Sequence, residues 1–147
     1  MGFLEFCDFW FILVIGMTDT RPPQRTVLIV EDDNFISQFL QTKLQEKHRA
    51  VAVTETAAAD TYLAEHPVDL IVLDIMLPRE DGFTWLERLK AADNPHRDIP
   101  VIILSNLDQF EDIQRGQKLG AALFLLKGNL MPSEIATKID ELLAEKQ

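Results

Sequence analysis

Four apolar segments of this chain each end directly in polar or charged side chains, which are the residues best suited to chemistry. The central segment, LIVL at 70–73, ends in one acid and then enters a loop. Short apolar runs of this kind are typical of strands that are buried on both faces. The polar residues at the four ends are Glu31 with Asp32, Asp74, Ser105 and Lys127. If the segments are neighbouring parallel strands, these side chains meet at the carboxyl edge of one sheet, where open α/β folds bind ligands.

These strand-end groups comprise three carboxylates, one hydroxyl and one ammonium group. Three carboxylates that lie close together repel one another and stay ionised only beside a cation. Carboxylate oxygens and water molecules are the ligands that Mg²⁺ prefers. His and Cys, which zinc sites commonly use, are absent from these strand ends. The pattern therefore predicts a Mg²⁺ site around Asp74.

The elements that must position these groups alternate between strand and helix along the chain. Apolar and β-branched runs predict strands at 26–30, 50–53, 70–73, 99–104 and 122–126. Apolar residues at helical spacing predict helices at about 35–47, 56–65, 83–92, 109–119 and from 132 or 133 onward. Asp33 or Asn34 is the expected N-cap of the first helix, and Gly120 the expected end of the fourth. Short connections between these elements predict an α/β fold: a doubly wound, five-stranded parallel sheet with helices on both faces.

Composition limits the possible partners of the chain. At 147 residues it is long enough for one domain with a substantial core, expected at 25–147. The net charge of −10 argues against direct nucleic-acid binding, because phosphate contacts need clustered Lys and Arg. The single cysteine, Cys7, excludes an internal disulfide and fits a reducing cytoplasm.

Residues 1–24 differ from the rest of the chain and are expected to form an apolar N-terminal extension and linker. The apolar run at 9–17 is too short to cross a bilayer as a helix, so no membrane span is expected. It also lacks the basic region of a secretory signal, since its neighbouring charges are Glu5 and Asp8. One interpretation is an upstream extension, with Met17 as the alternative start. The other is an apolar segment that packs on a partner or on a membrane surface.

The sequence resembles the receiver domain of two-component response regulators (CheY-like), of the single-domain type. The resemblance is carried by VLIVEDD, DLIVLDIMLPREDG, VIILSN and FLLKG, which occur in this order at strand ends. It covers about residues 26–146. It implies a flavodoxin-like sheet of order 2-1-3-4-5 and a cytoplasmic protein of bacterial phosphorelay signalling.

The resemblance also implies a role for each residue at the strand ends. Asp74 would be the phosphoacceptor, with Lys127 contacting the phosphoryl group and Ser105 as the hydroxyl switch. Phe124 would be the aromatic switch, which rotates inward when Ser105 moves toward a phosphoryl oxygen. The Mg²⁺ ligands would be Glu31, Asp32, Asp74 and the backbone carbonyl of Met76.

The implied function is phosphoryl transfer from a histidine kinase or a histidine phosphotransfer protein to Asp74. Self-catalysed, Mg²⁺-dependent transfer and autodephosphorylation are expected, without independent substrate turnover. The signal would leave by protein–protein contact through the face of the fourth helix, fifth strand and fifth helix, which could also form a phosphorylation-dependent homodimer. One alternative is a relay intermediate that passes the phosphoryl group to a second histidine. An aspartate-nucleophile phosphatase fits less well, because Met76 stands where such enzymes carry a second acid, and a non-phosphorylated adaptor is disfavoured by the intact acidic set.

Three residues depart from the common pattern of this family. Glu31 stands where Asp is frequent, and its longer side chain should still reach the metal. Gly128 replaces a common proline after Lys127, which predicts a looser loop, and Ser105 replaces the commoner Thr. None of these changes removes the expected chemistry.

Apolar residues flank the expected phosphoryl group, two positions after Asp74 and two after Ser105. These residues, Met76 and Leu107, cannot orient an attacking water, so we expect slow self-dephosphorylation. Trp85 is expected to pack on the inner face of its helix. The three histidines lie at the ends of elements without paired carboxylates and are expected to be solvated: His48, His66 and His96.

Overall fold

The structure, a computed structural model, describes residues 24–145; the predictions for the apolar extension before them lie outside the described residues. Five parallel strands form one sheet of order β2-β1-β3-β4-β5. The strands are β1 (Thr26–Val30), β2 (Arg49–Val53), β3 (Leu70–Leu73), β4 (Val101–Ser105) and β5 (Leu123–Leu126). The helices are α1 (Asn34–Leu44), α2 (Thr56–Glu65), α3 (Gly82–Lys90), α4 (Phe110–Lys118) and α5 (Pro132–Ala144). This order and the alternation of elements confirm the predicted fold class.

Two apolar layers, one on each face of the sheet, hold the helices in place. Residues of α1 and α5, including Leu40 and Ile139, pack against one face. Residues of α2 and α3, including Leu63 and Leu86, pack against the other. Between these layers β3 and β4 are buried along their whole length, as their continuous apolar sequences predict.

The pairing register of the strands places the acidic residues side by side. β1 and β3 are adjacent, with Val30 opposite Leu73. Asp74, the residue that follows β3, donates its backbone N–H to the Val30 carbonyl at 2.9 Å. The residue after Val30, Glu31, donates to the Val53 carbonyl at 3.0 Å. The sheet hydrogen bonds therefore continue up to the acids and fix their backbones.

Several predicted boundaries differ from the observed ones by one to three residues. Gly82 is the first residue of α3 rather than a loop residue, and the Asp81 carboxylate caps that helix. β4 begins at Val101 rather than 99, because the Ile99 N–H bonds to the His96 carbonyl in a turn and Pro100 has no N–H to pair with a neighbouring strand. Asp33 is the observed N-cap of α1, where its carboxylate accepts from two backbone N–H groups.

The prediction that His48 is solvated and lacks a carboxylate partner is wrong. Its Nε2 lies 2.8 Å from Oδ1 of Asp140, and its side chain is 11% exposed. Asp140 belongs to α5, far along the sequence, so only the packing of α1 on α5 reveals this pair. His66 is half-buried and stacks on the ring of Tyr62.

Candidate functional site

Three carboxylates converge at the carboxyl edge of the sheet. Glu31, Asp32 and Asp74 each offer one oxygen, and these oxygens lie within 4.8 Å of one another. Glu31 and Asp74 are 2% and 4% exposed, whereas Asp32 is exposed. The cluster thus has two buried acids and one acid at its solvent side.

Lys127 joins this cluster from the end of β5. Its Nζ lies 2.6 Å from Oε2 of Glu31 and 3.2 Å from Oδ2 of Asp74. Burial by itself lowers the pKa of Lys127, but the close contact with Glu31 and the charge of Asp74 outweigh it and raise that pKa. The ammonium group therefore stays charged and supplies the positive charge that the predicted site needs.

Burial disfavours the charged form of Glu31. Burial, and to a smaller degree the charge of Asp74, raise the pKa of the Glu31 carboxyl to about 7, although Lys127 and the Asp33 N–H lower it. Oε2 of Glu31 lies 2.6 Å from the Lys127 ammonium nitrogen, and this ion pair offsets only part of the effect of burial. A buried carboxylate oxygen in this condition, beside two further acids, fits a hard divalent cation.

The loop after β3 holds Asp74 in place and brings α3 close to it. Oδ1 of Asp74 accepts the N–H of Met76 at 3.1 Å. The carbonyl of Ile75 accepts N–H groups from both Leu77 and Gly82. A β carbon on Gly82 would lie only 2.5 Å from the Asp74 carbonyl oxygen, so this approach needs a glycine. The sequence prediction started this helix at about residue 83 and placed the glycine in the loop before it.

The predicted switch residues occupy the two strands on the other side of Asp74. Ser105 ends β4 with no exposed surface, and its Oγ accepts the N–H of Leu107 at 3.2 Å. That bond uses an acceptor lone pair and leaves the hydroxyl hydrogen for another acceptor. Phe124 is half-buried on β5 beside Gly116 of α4, where a β carbon would lie 2.9 Å from the ring. The sequence prediction missed this glycine, whose lack of a side chain makes room for the ring.

The structure brings oxygens of the three acids within 4.8 Å of one another, places Lys127 in contact with two of them, and puts Ser105 and Phe124 on the adjoining strands. The Met76 side chain is 62% exposed, and the role of its carbonyl as a metal ligand stays a prediction.

The sequence prediction missed a group of hydrogen-bonded side chains near the site, because its members are far apart in the sequence. It links the β3–α3 loop to α2 and α3 through Glu80.

Fold and site together define a flavodoxin-like α/β protein with an acidic cluster that could hold a metal ion and a charged lysine at the carboxyl edge of its sheet. A family model of the response regulator receiver domain matches residues 27–140. The chain therefore belongs to the response regulator receiver domain family of two-component systems.

Individual relatives support this assignment. Response regulator GtcR of Aneurinibacillus migulanus is 38% identical over 104 residues, which are 70% of this chain and 41% of that protein. The receiver domain of Francisella response regulator 1452 has a TM-score of 0.75 and 30% identity, covering 84% of this chain and 100% of that one. The Mn²⁺-bound form of response regulator Rcp1 has a TM-score of 0.69 and 25% identity, covering 80% and 92%. Matches to curated relatives extend over 16% to 53% of their lengths, so this chain resembles one part of those proteins.

Proposed function

We propose that Asp74 accepts a phosphoryl group from a phosphohistidine of a histidine kinase or a histidine phosphotransfer protein. The observation that carries this proposal is the contact of one buried ammonium, Lys127, with two buried carboxylates, Asp74 and Glu31. A carboxylate nucleophile must meet an anionic phosphoryl group, so neutralising charge is most of what this reaction requires of a protein.

We further propose that the acidic cluster holds Mg²⁺ through Glu31, Asp32, Asp74 and the backbone carbonyl of Met76. The three carboxylate oxygens within 4.8 Å of one another and the raised pKa of the buried Glu31 carboxyl support this ligand set. The Mn²⁺-bound form of Rcp1, a similar fold at 25% identity, supports a divalent cation in this class of site. A bound cation would offset the repulsion between Asp74 and the incoming phosphoryl oxygens.

The chain's own residues then account for the transfer and for its signal. The Met76 N–H orients Oδ1 of Asp74, which leaves Oδ2, the oxygen beside Lys127, to attack phosphorus as the P–N bond to the donor imidazole breaks. Lys127 stabilises the charge on the transferred phosphoryl oxygens. Ser105 donates its free hydroxyl hydrogen to one of these oxygens, and Phe124 moves toward the space that Ser105 vacates. These steps shift the balance between two packings.

The proposed output surface is the face formed by α4, β5 and α5. α4 buries only Gly116 among its residues, and Phe110 at its first turn is 67% exposed. Leu123 at the start of β5 is 37% exposed. An apolar surface on a loosely packed helix suits a downstream protein or a phosphorylation-dependent homodimer.

No helix within residues 24–145 is long and apolar enough to cross a membrane. We propose a cytoplasmic location, where the phosphodonor would be found.

Binding of beryllofluoride, a phosphoryl mimic, tests this proposal without a kinase. We expect Mg²⁺-dependent chemical-shift changes in the backbone amides of residues 74–77, 105–107 and 124–128. Asp74→Asn should lose these changes while keeping the fold. If the wild-type spectrum is unchanged by beryllofluoride and Mg²⁺ together, the proposed phosphoacceptor site is wrong.

A further inference from the structure

The loop between Asp74 and α3 is anchored at its outer end by Glu80. Oε2 of Glu80 accepts hydrogen bonds from Oγ1 of Thr56 at 2.6 Å and from Nη2 of Arg88 at 3.0 Å. Oε1 of Glu80 accepts a second Arg88 hydrogen bond, from Nε, at 3.2 Å. One carboxylate therefore ties the loop to the start of α2 and to the last turn of α3. The pKa of Glu80 is lowered from its ordinary value, mainly by the hydrogen bonds from Arg88. The carboxylate therefore stays ionised.

Arg88 extends this anchor to the core of the domain. Its Nη2 also donates to Oδ2 of Asp60 on α2 at 2.9 Å. The other oxygen of Asp60 accepts the indole N–H of Trp85 at 2.8 Å, and Trp85 has no exposed surface. The Arg88–Glu80 contact is bidentate, which fixes the orientation of the two side chains relative to each other. The buried indole of Trp85 thus holds Asp60, and Asp60 in turn holds Arg88, the half-exposed partner of Glu80.

The backbone of the loop needs such an anchor. At its inner end, the Ile75 carbonyl accepts the N–H groups of Leu77 and Gly82 and so fixes both sides of the turn. Between these points Arg79 has φ of 70°, a left-handed conformation that side-chain-bearing residues rarely adopt. Glu80 follows Arg79 directly. Its hydrogen bonds to two helices therefore stabilise a loop conformation that the chain disfavours on its own.

We infer that Glu80 is a positioning residue for the metal site: it holds the β3–α3 loop so that the Met76 backbone lies beside Asp74. This inference rests on the proposed function, because Met76 is the proposed backbone ligand. Glu80 itself touches neither the acidic cluster nor Lys127 in the described contacts, and it acts through the loop. Outer-shell groups that orient metal ligands typically change metal affinity by about 10- to 100-fold when they are removed.

The test compares Glu80→Leu with Asp140→Asn. Asp140 is a matched control: its side chain is 30% exposed against 27% for Glu80, it contacts two side chains (Lys47 and His48) as Glu80 does, and it lies on α5 outside the loop. Mg²⁺ affinity of the unphosphorylated full chain is measured by titrating Mg²⁺ while recording backbone amide shifts. Urea unfolding in EDTA is measured in parallel. We expect Glu80→Leu to weaken Mg²⁺ binding by about 10-fold and Asp140→Asn to leave it within about twofold of wild type.

Two further variants keep the test decisive. Thr56→Val removes one hydrogen bond to Glu80 and should weaken Mg²⁺ binding less than Glu80→Leu does; it also serves if Glu80→Leu does not fold. Glu80→Gln keeps an acceptor for Thr56 or Arg88 and should recover part of the affinity. If Glu80→Leu and Thr56→Val lose stability but bind Mg²⁺ as tightly as wild type, Glu80 has only a structural role and the inference is wrong. Failure of the wild type to bind Mg²⁺ would instead contradict the proposed function.

Discussion

Glu31→Gln should stabilise the magnesium-free protein although it removes a proposed metal ligand. Glu31 is 2% exposed, and burial raises the pKa of its carboxyl from 4.5 to about 7. The folded state therefore binds this proton more tightly than the unfolded state does. The stability linked to this proton is fully present below about pH 4.5, falls as the pH rises toward 7, and stays lost above it.

The size of this effect follows from the same two pKa values. The interval from 4.5 to about 7 corresponds to about 3 kcal/mol of unfolding free energy at about pH 8. Near pH 5 the difference falls below about 1 kcal/mol, because Glu31 is then largely protonated in the folded state. Glutamine has nearly the same shape and no charge, so Glu31→Gln should gain up to about 3 kcal/mol at the higher pH.

The assay is urea unfolding of both proteins in EDTA at about pH 5 and about pH 8, repeated with Mg²⁺. Added Mg²⁺ should reduce the difference in unfolding free energy between the two proteins, because the variant should bind Mg²⁺ more weakly than the wild type. A 100-fold excess of Mg²⁺ over Kd stabilises a binding protein by about 2.7 kcal/mol. Asp32→Asn is the control: Asp32 is exposed, so losing its charge should change the magnesium-free stability little. If Glu31→Gln is less stable than wild type in EDTA at about pH 8, the electrostatic account of this cluster is wrong.

Three further predictions concern residues around the site. Gly82→Ala should lower the unfolding free energy by about 1–3 kcal/mol in urea, because its β carbon would meet the Asp74 carbonyl oxygen at 2.5 Å; unchanged stability would refute the close approach. Gly116→Ala should displace the neighbouring Ile103 and Phe124 side chains, 2.7 and 2.9 Å from the new β carbon, and change their side-chain NMR shifts; unchanged shifts would contradict this packing. Met76→Asn or Leu107→Glu should shorten the lifetime of the phosphorylated protein by providing a polar group that can orient water, measured by the decay of the phosphorylated species; an unchanged lifetime would count against slow autodephosphorylation.

The sequence predicted the strands and the strand-end acids because buried parallel strands have a strong local signal. β3 and β4 are continuous apolar runs, and Asp74 and Ser105 stand at their ends. The strand order needed the resemblance to a known family, since alternation alone allows several orders. With that order, the convergence of Glu31, Asp74 and Lys127 followed from the geometry of parallel sheets.

Contacts between distant side chains could not be predicted from the sequence. The Glu80–Thr56 hydrogen bond joins residues 24 positions apart, and the His48–Asp140 pair joins residues 92 apart. Nothing in the local pattern of either residue indicates its partner, because each contact depends on how two helices or a helix and a loop pack. The need for Gly82 is similar: only the approach of α3 to the Asp74 backbone shows that a β carbon would not fit.

Phosphorylation by acetyl phosphate, followed by intact-mass measurement, tests the central claim most directly. The wild-type chain should gain the mass of one phosphoryl group in Mg²⁺ and remain unmodified in EDTA. Asp74→Asn should remain unmodified in both, and peptide mapping of the wild type should place the group on Asp74. A modified Asp74→Asn protein, or equal modification of the wild type with and without Mg²⁺, would contradict the assignment of Asp74 as a magnesium-dependent phosphoacceptor.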